Sequence, residues 1–280
     1  MSSIEWLEEP HLLDPVAIVG FEGWNDASDA ASGVAEYLID QAEVQPFARL
    51  DMEQYVNYQM SRPHVLIAET GRVIHWPSTG FFRLTLQDSG RHLVVVLGDE
   101  PHLRWQGFTS EIVDMLSGLG VTTVVTLGAF IGQVPHTLPV PIFGDAAEPG
   151  LTDRLGVIQS NYEGPTGIVG VLHSALRDAG FSATTLWAAV PHYLAANPNP
   201  KATLTLLEHL GRAIGHNFDV ENLITEVEDF EHHVAEAMDG SSDFIEYVRQ
   251  LESSADKPMV EAREGEQLVQ EIENYLKDSD

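Results

Sequence analysis

Residues 16–38 read VAIVGFEGWNDASDAASGVAEYL, and this stretch decides the fold. Val16 to Phe21 is a short apolar run of the kind buried on both faces of a parallel sheet. After it the period changes. Ala27, Ala30, Ala31, Val34, Ala35 and Leu38 fall on one helix face, and Asp26 is placed as the N-cap. The small residues on that face let the helix lie close to a sheet.

The same alternation continues along the chain. Phe47 to Met52, Val65 to Glu69, Arg72 to Trp76 and Phe81 to Leu86 read as strands, and Thr70-Gly71 is a tight turn that makes the middle pair a hairpin. His92 to Leu97 is another buried strand, followed by a helix from Phe108 to Leu119 that stops at Gly120. Val121 to Leu127 and Val140 to Phe143 are strands. A helix stripe runs from Ile168 to Ala179, Thr184 to Val190 is the last strand, and a helix follows the Asn197-Pro198-Asn199-Pro200 punctuation. Helical crossovers between buried strands predict an α/β fold with a mixed, mainly parallel sheet between helices.

The last part of the chain differs in composition. From Asp219 to Asp280 there are 19 acids and four bases. Leu223, Val227, Phe230 and Val234 recur at helical spacing, as do Phe244, Val248 and Leu251, and then Leu268, Ile272, Tyr275 and Leu276. Breaks are expected near Gly240-Ser241-Ser242 and from Ser253 to Pro258. The chain thus divides into a core at 1–217 and an acidic helical C-terminal extension at 218–280. In that extension Leu268, Ile272, Tyr275 and Leu276 form a candidate partner-binding stripe flanked by acids.

Composition excludes several chemistries. No cysteine is present, which removes disulfides, thiolate zinc sites, iron–sulfur clusters and a cysteine nucleophile. With 43 acids against 14 bases, a formal −29, the surface repels phosphate backbones, so nucleic acid is not expected as a partner. The longest aliphatic run, Leu93 to Leu97, is far below the roughly 20 residues of a membrane span. Glu5, Glu8 and Glu9 stand where a secretion signal carries Lys or Arg, so a cytoplasmic protein without membrane contact is expected.

No phosphate-cradling loop, nucleophile elbow or zinc-protease spacing is present. His232-His233 read as a solvated helix face, because adjacent residues point about 100° apart. No metal or cofactor is expected. Four loops after strands nevertheless carry chemistry, and loops leaving the carboxyl ends of parallel strands line the usual crevice. The first offers Trp24, Asn25 and Asp26, the second Asp99, Glu100 and His102. The third and fourth present His136 and the pair His192-Tyr193 behind prolines. Each set also has a structural use, as turn, cap or histidine bonded to a carbonyl. An enzyme reading takes Asp26 or Asp99 as base and a histidine as acid, acting on a small, nucleoside-like molecule.

Five segments in order resemble the proteasome-assembly-chaperone family (type two), most closely its actinobacterial members. They are GFEGWNDASDAA, VVVLGDEPHLRW, TLGAFIGQVPHTLPVPIFG, NYEGPTGIVGVL and LWAAVPHYLAANPNP, and the likeness runs from about Val16 to Leu251. The resemblance implies a core related to the purine nucleoside phosphorylase and hydrolase architecture. It implies assembly and binding rather than catalysis, with a proteasome-related or other protein as partner, and a homotrimer. Some archaeal relatives dock through a penultimate tyrosine. Here Tyr275 is followed by five residues, so the likeness does not carry C-terminal docking to this chain. Trp6, Leu7, Trp76, Phe81 and Phe82 are expected on the self-contact surface.

Overall fold

The computed structural model describes residues 3–68, 71–196, 198–238 and 242–254. The chain opens with β1 (Ile4–Trp6), β2 (Val16–Glu22), α1 (Ala30–Ala42) and β3 (Pro46–Asp51). A hairpin of β4 (His64–Ala68) and β5 (Gly71–His75) precedes β6 (Ser78–Thr85), β7 (His92–Asp99) and α2 (Trp105–Gly118). Then come β8 (Thr123–Gly132), β9 (Ile142–Ala146), α3 (Leu151–Leu155), β10 (Ile158–Gln159), α4 (Ile168–Asp178) and β11 (Ser182–Pro191). Three helices close it: α5 (Pro200–Ile214), α6 (Glu221–Met238) and α7 (Ser242–Ser254).

Nine strands form one sheet in the order β1-β3-β6-β7-β2-β8-β11-β9-β10. Its four central strands, β7, β2, β8 and β11, run parallel. Antiparallel pairs carry it outward through β6, β3 and β1 on one side and to β9 on the other. The sheet is therefore mixed, with helices on both faces, as the alternation predicts.

β2 shows why a strand here must be apolar throughout. Val16 and Ile18 face the core under α1 and α5, while Ala17, Val19 and Phe21 face the core under α2 and α4. Successive side chains point to opposite faces, and both faces are covered. Burying one such aliphatic side chain completely contributes about 1.5–3 kcal/mol. α1 starts three residues later than its stripe suggests. Ala27–Asp29 is a 3-10 turn in which Ser28 and Asp29 hold φ of 57° and 52°.

The hairpin does not join the main sheet; its two strands pair with each other alone among the described residues. Phe81 and Phe82, expected on a contact surface, are not there. β6 is an inner strand, so Phe81 is wholly buried in the core and Phe82 packs against it. Trp6, Leu7 and Trp76 are exposed as expected.

In the C-terminal part, α6 lies against α5 and buries Leu223 and Val234, and Tyr37 Oη donates to the Asp219 carbonyl at 3.0 Å. α7 buries Val248 and Leu251. Leu268, Ile272, Tyr275 and Leu276 lie outside the described residues. Among the described residues no helix is long and apolar enough to cross a membrane.

Candidate functional site

Because β2, β7, β8 and β11 are parallel neighbours, the loops that follow them emerge along one edge of the sheet. The predicted residues on those loops fall into two groups.

The first group is tied together by Glu100. Its Oε2 accepts from the Trp24 backbone N–H at 2.9 Å. Its Oε1 accepts from Asn25 Nδ2 at 2.6 Å and from the Ile168 N–H, at the start of α4, at 3.2 Å. One carboxylate thus joins the loops after β2 and β7 to a helix N-terminus, where negative charge is favoured. The backbone is shaped for this contact. Gly23 sits at φ 128°, and a Cβ there would meet Glu100 Cβ at 2.9 Å. A Cβ on Gly167 would lie 2.1 Å from Asn25 Nδ2. Asn25 is 1% exposed, and its carbonyl accepts from Ala129 N–H at 2.7 Å, which adds β8 to the tie.

Asp26 caps α1 with its side chain, but not from the N-cap position predicted for it, which Asp29 occupies at φ 52°. Its Oδ1 accepts from the N–H groups of Ala31 at 2.7 Å and Ser32 at 3.0 Å, while Oδ2 has no partner among the described residues. Burial raises its pKa, and the hydrogen bonds from Ser32 and Ala31 pull the other way. Trp24 stands on the rim, 68% exposed.

Asp99 lies beside a residue that sequence reasoning missed. Glu22 and Asp99 are paired at the ends of neighbouring strands. Asp99 Oδ2 accepts from Ser78 N–H at 3.1 Å. Glu22 keeps an exposed tip, yet its pKa is pushed up to about 7, by burial first and by the charge of Asp99 second. The available signal was positional: both acids end strands, and parallel pairing places strand ends together. His102 turns elsewhere, its Nδ1 accepting from Asn57 N–H at 3.3 Å.

The second group is aromatic. Tyr193 Oη accepts from the His136 N–H at 2.9 Å and contacts His136 Nδ1 at 2.9 Å. His192 Nε2 is 3.0 Å from Tyr247 Oη on α7, and Tyr193 meets Phe244 of α7 edge-on with centroids 5.1 Å apart. Lys201 Nζ bridges the His136 carbonyl at 2.8 Å and Glu231 of α6 at 2.7 Å. Burial lowers the pKa of both histidines, and Lys201 adds to the effect at His136.

These contacts fasten α6 and α7 to the loops after β8 and β11 and to the start of α5. The cavity beside His136, lined by Val134, Pro141, Asn199 and Phe230 among others, measures about 10 Å³. That is room for at most a single water, against roughly 300–1,000 Å³ for a ligand pocket. A larger open groove of about 650 Å³ runs between β1 and α2, lined by Trp6, Tyr55, Arg104 and Glu111, and it contains none of the predicted site residues. Among the described residues no three His, Asp or Glu side chains are grouped to hold a metal ion.

The PAC2 family model matches residues 20–238, most of the chain. The chain belongs to the PAC2 family. A PAC2 family protein from Streptomyces avermitilis is 42% identical, with a TM-score of 0.78 over 84% of this chain and 100% of its own. A proteasome-assembly chaperone homologue from Mycobacterium tuberculosis is 37% identical, with a TM-score of 0.76 over 83% and 99%. PbaB of Pyrococcus furiosus, an archaeal proteasome activator, shares the fold at 19% identity and a TM-score of 0.66, over 84% and 98%. Comparison with curated proteins gives no match. The PAC2 match begins at Gly20 and ends at Met238, so it spans all four loops and α6. α7, which supplies Phe244 and Tyr247 to the aromatic group, lies beyond it.

Proposed function

We propose that this PAC2 chain is a non-enzymatic assembly chaperone or scaffold that self-associates, as a trimer, and binds another protein in the cytoplasm. One observation carries the reading. Glu100 is spent on three internal donors, His136 on Tyr193 and His192 on Tyr247, and the cavity beside His136 is too small for a ligand, while Asn25 Oδ1 and Asp26 Oδ2 stay unbonded among the described residues. The 37% identical relative described as a proteasome-assembly chaperone homologue supports a proteasome-related partner, and the acidic surface suits a basic patch on it. Relatives from Streptomyces and Mycobacterium support the actinobacterial branch. We take 1–217 as the core and 218–280 as the extension, with Leu268, Ile272, Tyr275 and Leu276 as its partner-binding residues. The test is to mix the purified chain with proteasome α-subunits from the same cell. A complex on gel filtration and faster ring formation are expected, and loss of both results overturns the reading.

A second reading rests on Glu22. A carboxyl with a pKa of about 7 beside Asp99, at the carboxyl end of a parallel sheet, has the properties of an acid–base group in a small-molecule hydrolase. Calorimetric titration with nucleosides separates the two. Saturable heat that Glu22→Gln abolishes favours the hydrolase.

A further inference from the structure

The β4–β5 hairpin stands outside the main sheet, and all ten of its strand residues are exposed. Its register puts Val65, Ile67, Arg72 and Ile74 on one face and His64, Leu66, Val73 and His75 on the other. Ile67 is 85% exposed, Val65 58% and Ile74 57%. A two-stranded ribbon cannot bury either face against itself, and alone in water it is marginally stable at best. Both faces call for a cover, and apolar patches of this kind mark contact surfaces.

Charge indicates what covers it. Between Met60 and Trp76 the chain has two arginines and one acid, whereas the whole chain has 14 bases and 43 acids. An apolar, slightly basic tongue is complementary to the rest of the same protein. One segment of that surface matches it on both counts: Trp6, Leu7 and Leu13 are exposed beside Glu5, Glu8, Glu9 and Asp14. Of these acids Glu8 meets Arg83 at 3.5 Å and Asp14 meets Arg91 at 2.7 Å, while Glu5 and Glu9 have no ion pair among the described residues. We infer that the hairpin packs on a second copy of this chain, with its apolar faces against residues 6–13 of that copy and Arg72 toward their acids. The contact joins two different patches, so it is heterologous, and the trimer proposed above is the ring such a contact makes when its rotation closes after three copies. The inference rests on the self-association proposed above and assigns its surface.

The chain has no cysteine, so Ile67→Cys offers a single site for a spin label. Light scattering at micromolar concentration is expected to give a multiple of 30.8 kDa, with the label immobilised. Ile67→Asp combined with Ile74→Asp is expected to reduce the mass to 30.8 kDa with an unchanged circular dichroism spectrum. A freely mobile label on an assembled protein overturns the hairpin's role and leaves self-association standing. A wild type with the mass of one chain overturns both, and leaves the hairpin to a different protein.

Discussion

At the scale of single residues, Glu100 does more than its place in an acidic loop announces. It sits 75 residues from Asn25 and 68 from Ile168, and its two oxygens take three donors. A sequence shows spacing along the chain and not this kind of meeting, so Glu100, Asn25 and Trp24 were legible as unusual loop residues but not as one tie. Asp26 was legible as a cap because capping is local, although the 3-10 turn at Ala27–Asp29 puts its two donors five and six positions ahead instead of two or three. Two changes separate these roles. Glu100→Gln keeps the shape and removes the charge from three hydrogen bonds, and about 1–3 kcal/mol of stability should be lost in urea unfolding. Asp26→Ala should cost about 1 kcal/mol by the same measurement. Glu22 works in the opposite sense. Its folded pKa of about 7 lies above the ordinary 4.5, so between those values the folded state holds a proton that the unfolded state has released. Stability therefore falls as pH rises from 4.5 to 7 and levels off above. Glu22→Gln should raise the melting temperature at pH 8 and leave it level with the parent at pH 4; equal melting at both would show that Glu22 carries no such strain.

At the scale of elements, the buried strands were readable because parallel central strands are apolar on both faces, as VAIVGF and VVVL show. β1, β10 and α3 were not, since three, two and five residues are too short to carry a period. They are held by neighbours: β1 by its pairing with β3 and β10 by β9. α6 and α7 were legible from their stripes, α6 ending at Met238 and α7 starting at Ser242, while the third stripe lies outside the described residues. What the stripes could not give is the docking of α7, since Tyr247 reaches a histidine 55 positions away. This docking should respond to pH. His136 and His192 have pKa values below the ordinary 6.5, so the folded state prefers them neutral, and an unfolded chain binds protons more readily there. Their contribution is complete above pH 6.5 and is lost as pH falls through that value, although Glu231 and Glu252 oppose the loss at His136. Protection of α7 amides, taken relative to the intrinsic exchange rate at each pH, should fall between pH 7 and 5 while protection in α2 holds. Tyr247→Phe, which removes one hydrogen bond, should bring α7 exchange at pH 7 forward by about 0.5–1.5 kcal/mol of opening free energy.

At the scale of the whole molecule, two features stand out from one well-tied core. One is the hairpin, apolar and slightly basic. The other is the pair α6 and α7, which attach to the carboxyl edge of the sheet through Lys201, Tyr193 and His192 and begin the extension proposed at 218–280. A protein of formal charge −29 repels copies of itself at long range, so the self-association proposed above needs a local patch where that charge is relieved, and the hairpin is the patch proposed for it. The extension, with 19 acids and four bases, is instead suited to a partner of opposite sign. The two roles are separable by truncation after Ser254, which leaves every described contact of α7 in place and removes Leu268, Ile272, Tyr275 and Leu276. The shortened chain should keep its melting temperature and its assembled mass by light scattering, and should lose binding to a basic protein partner. If the assembled mass falls to that of one chain, the tail and not the hairpin joins the copies. If the melting temperature falls by several degrees while the assembly persists, residues 255–280 belong to the core of the subunit, and partner binding must be sought elsewhere on the acidic surface.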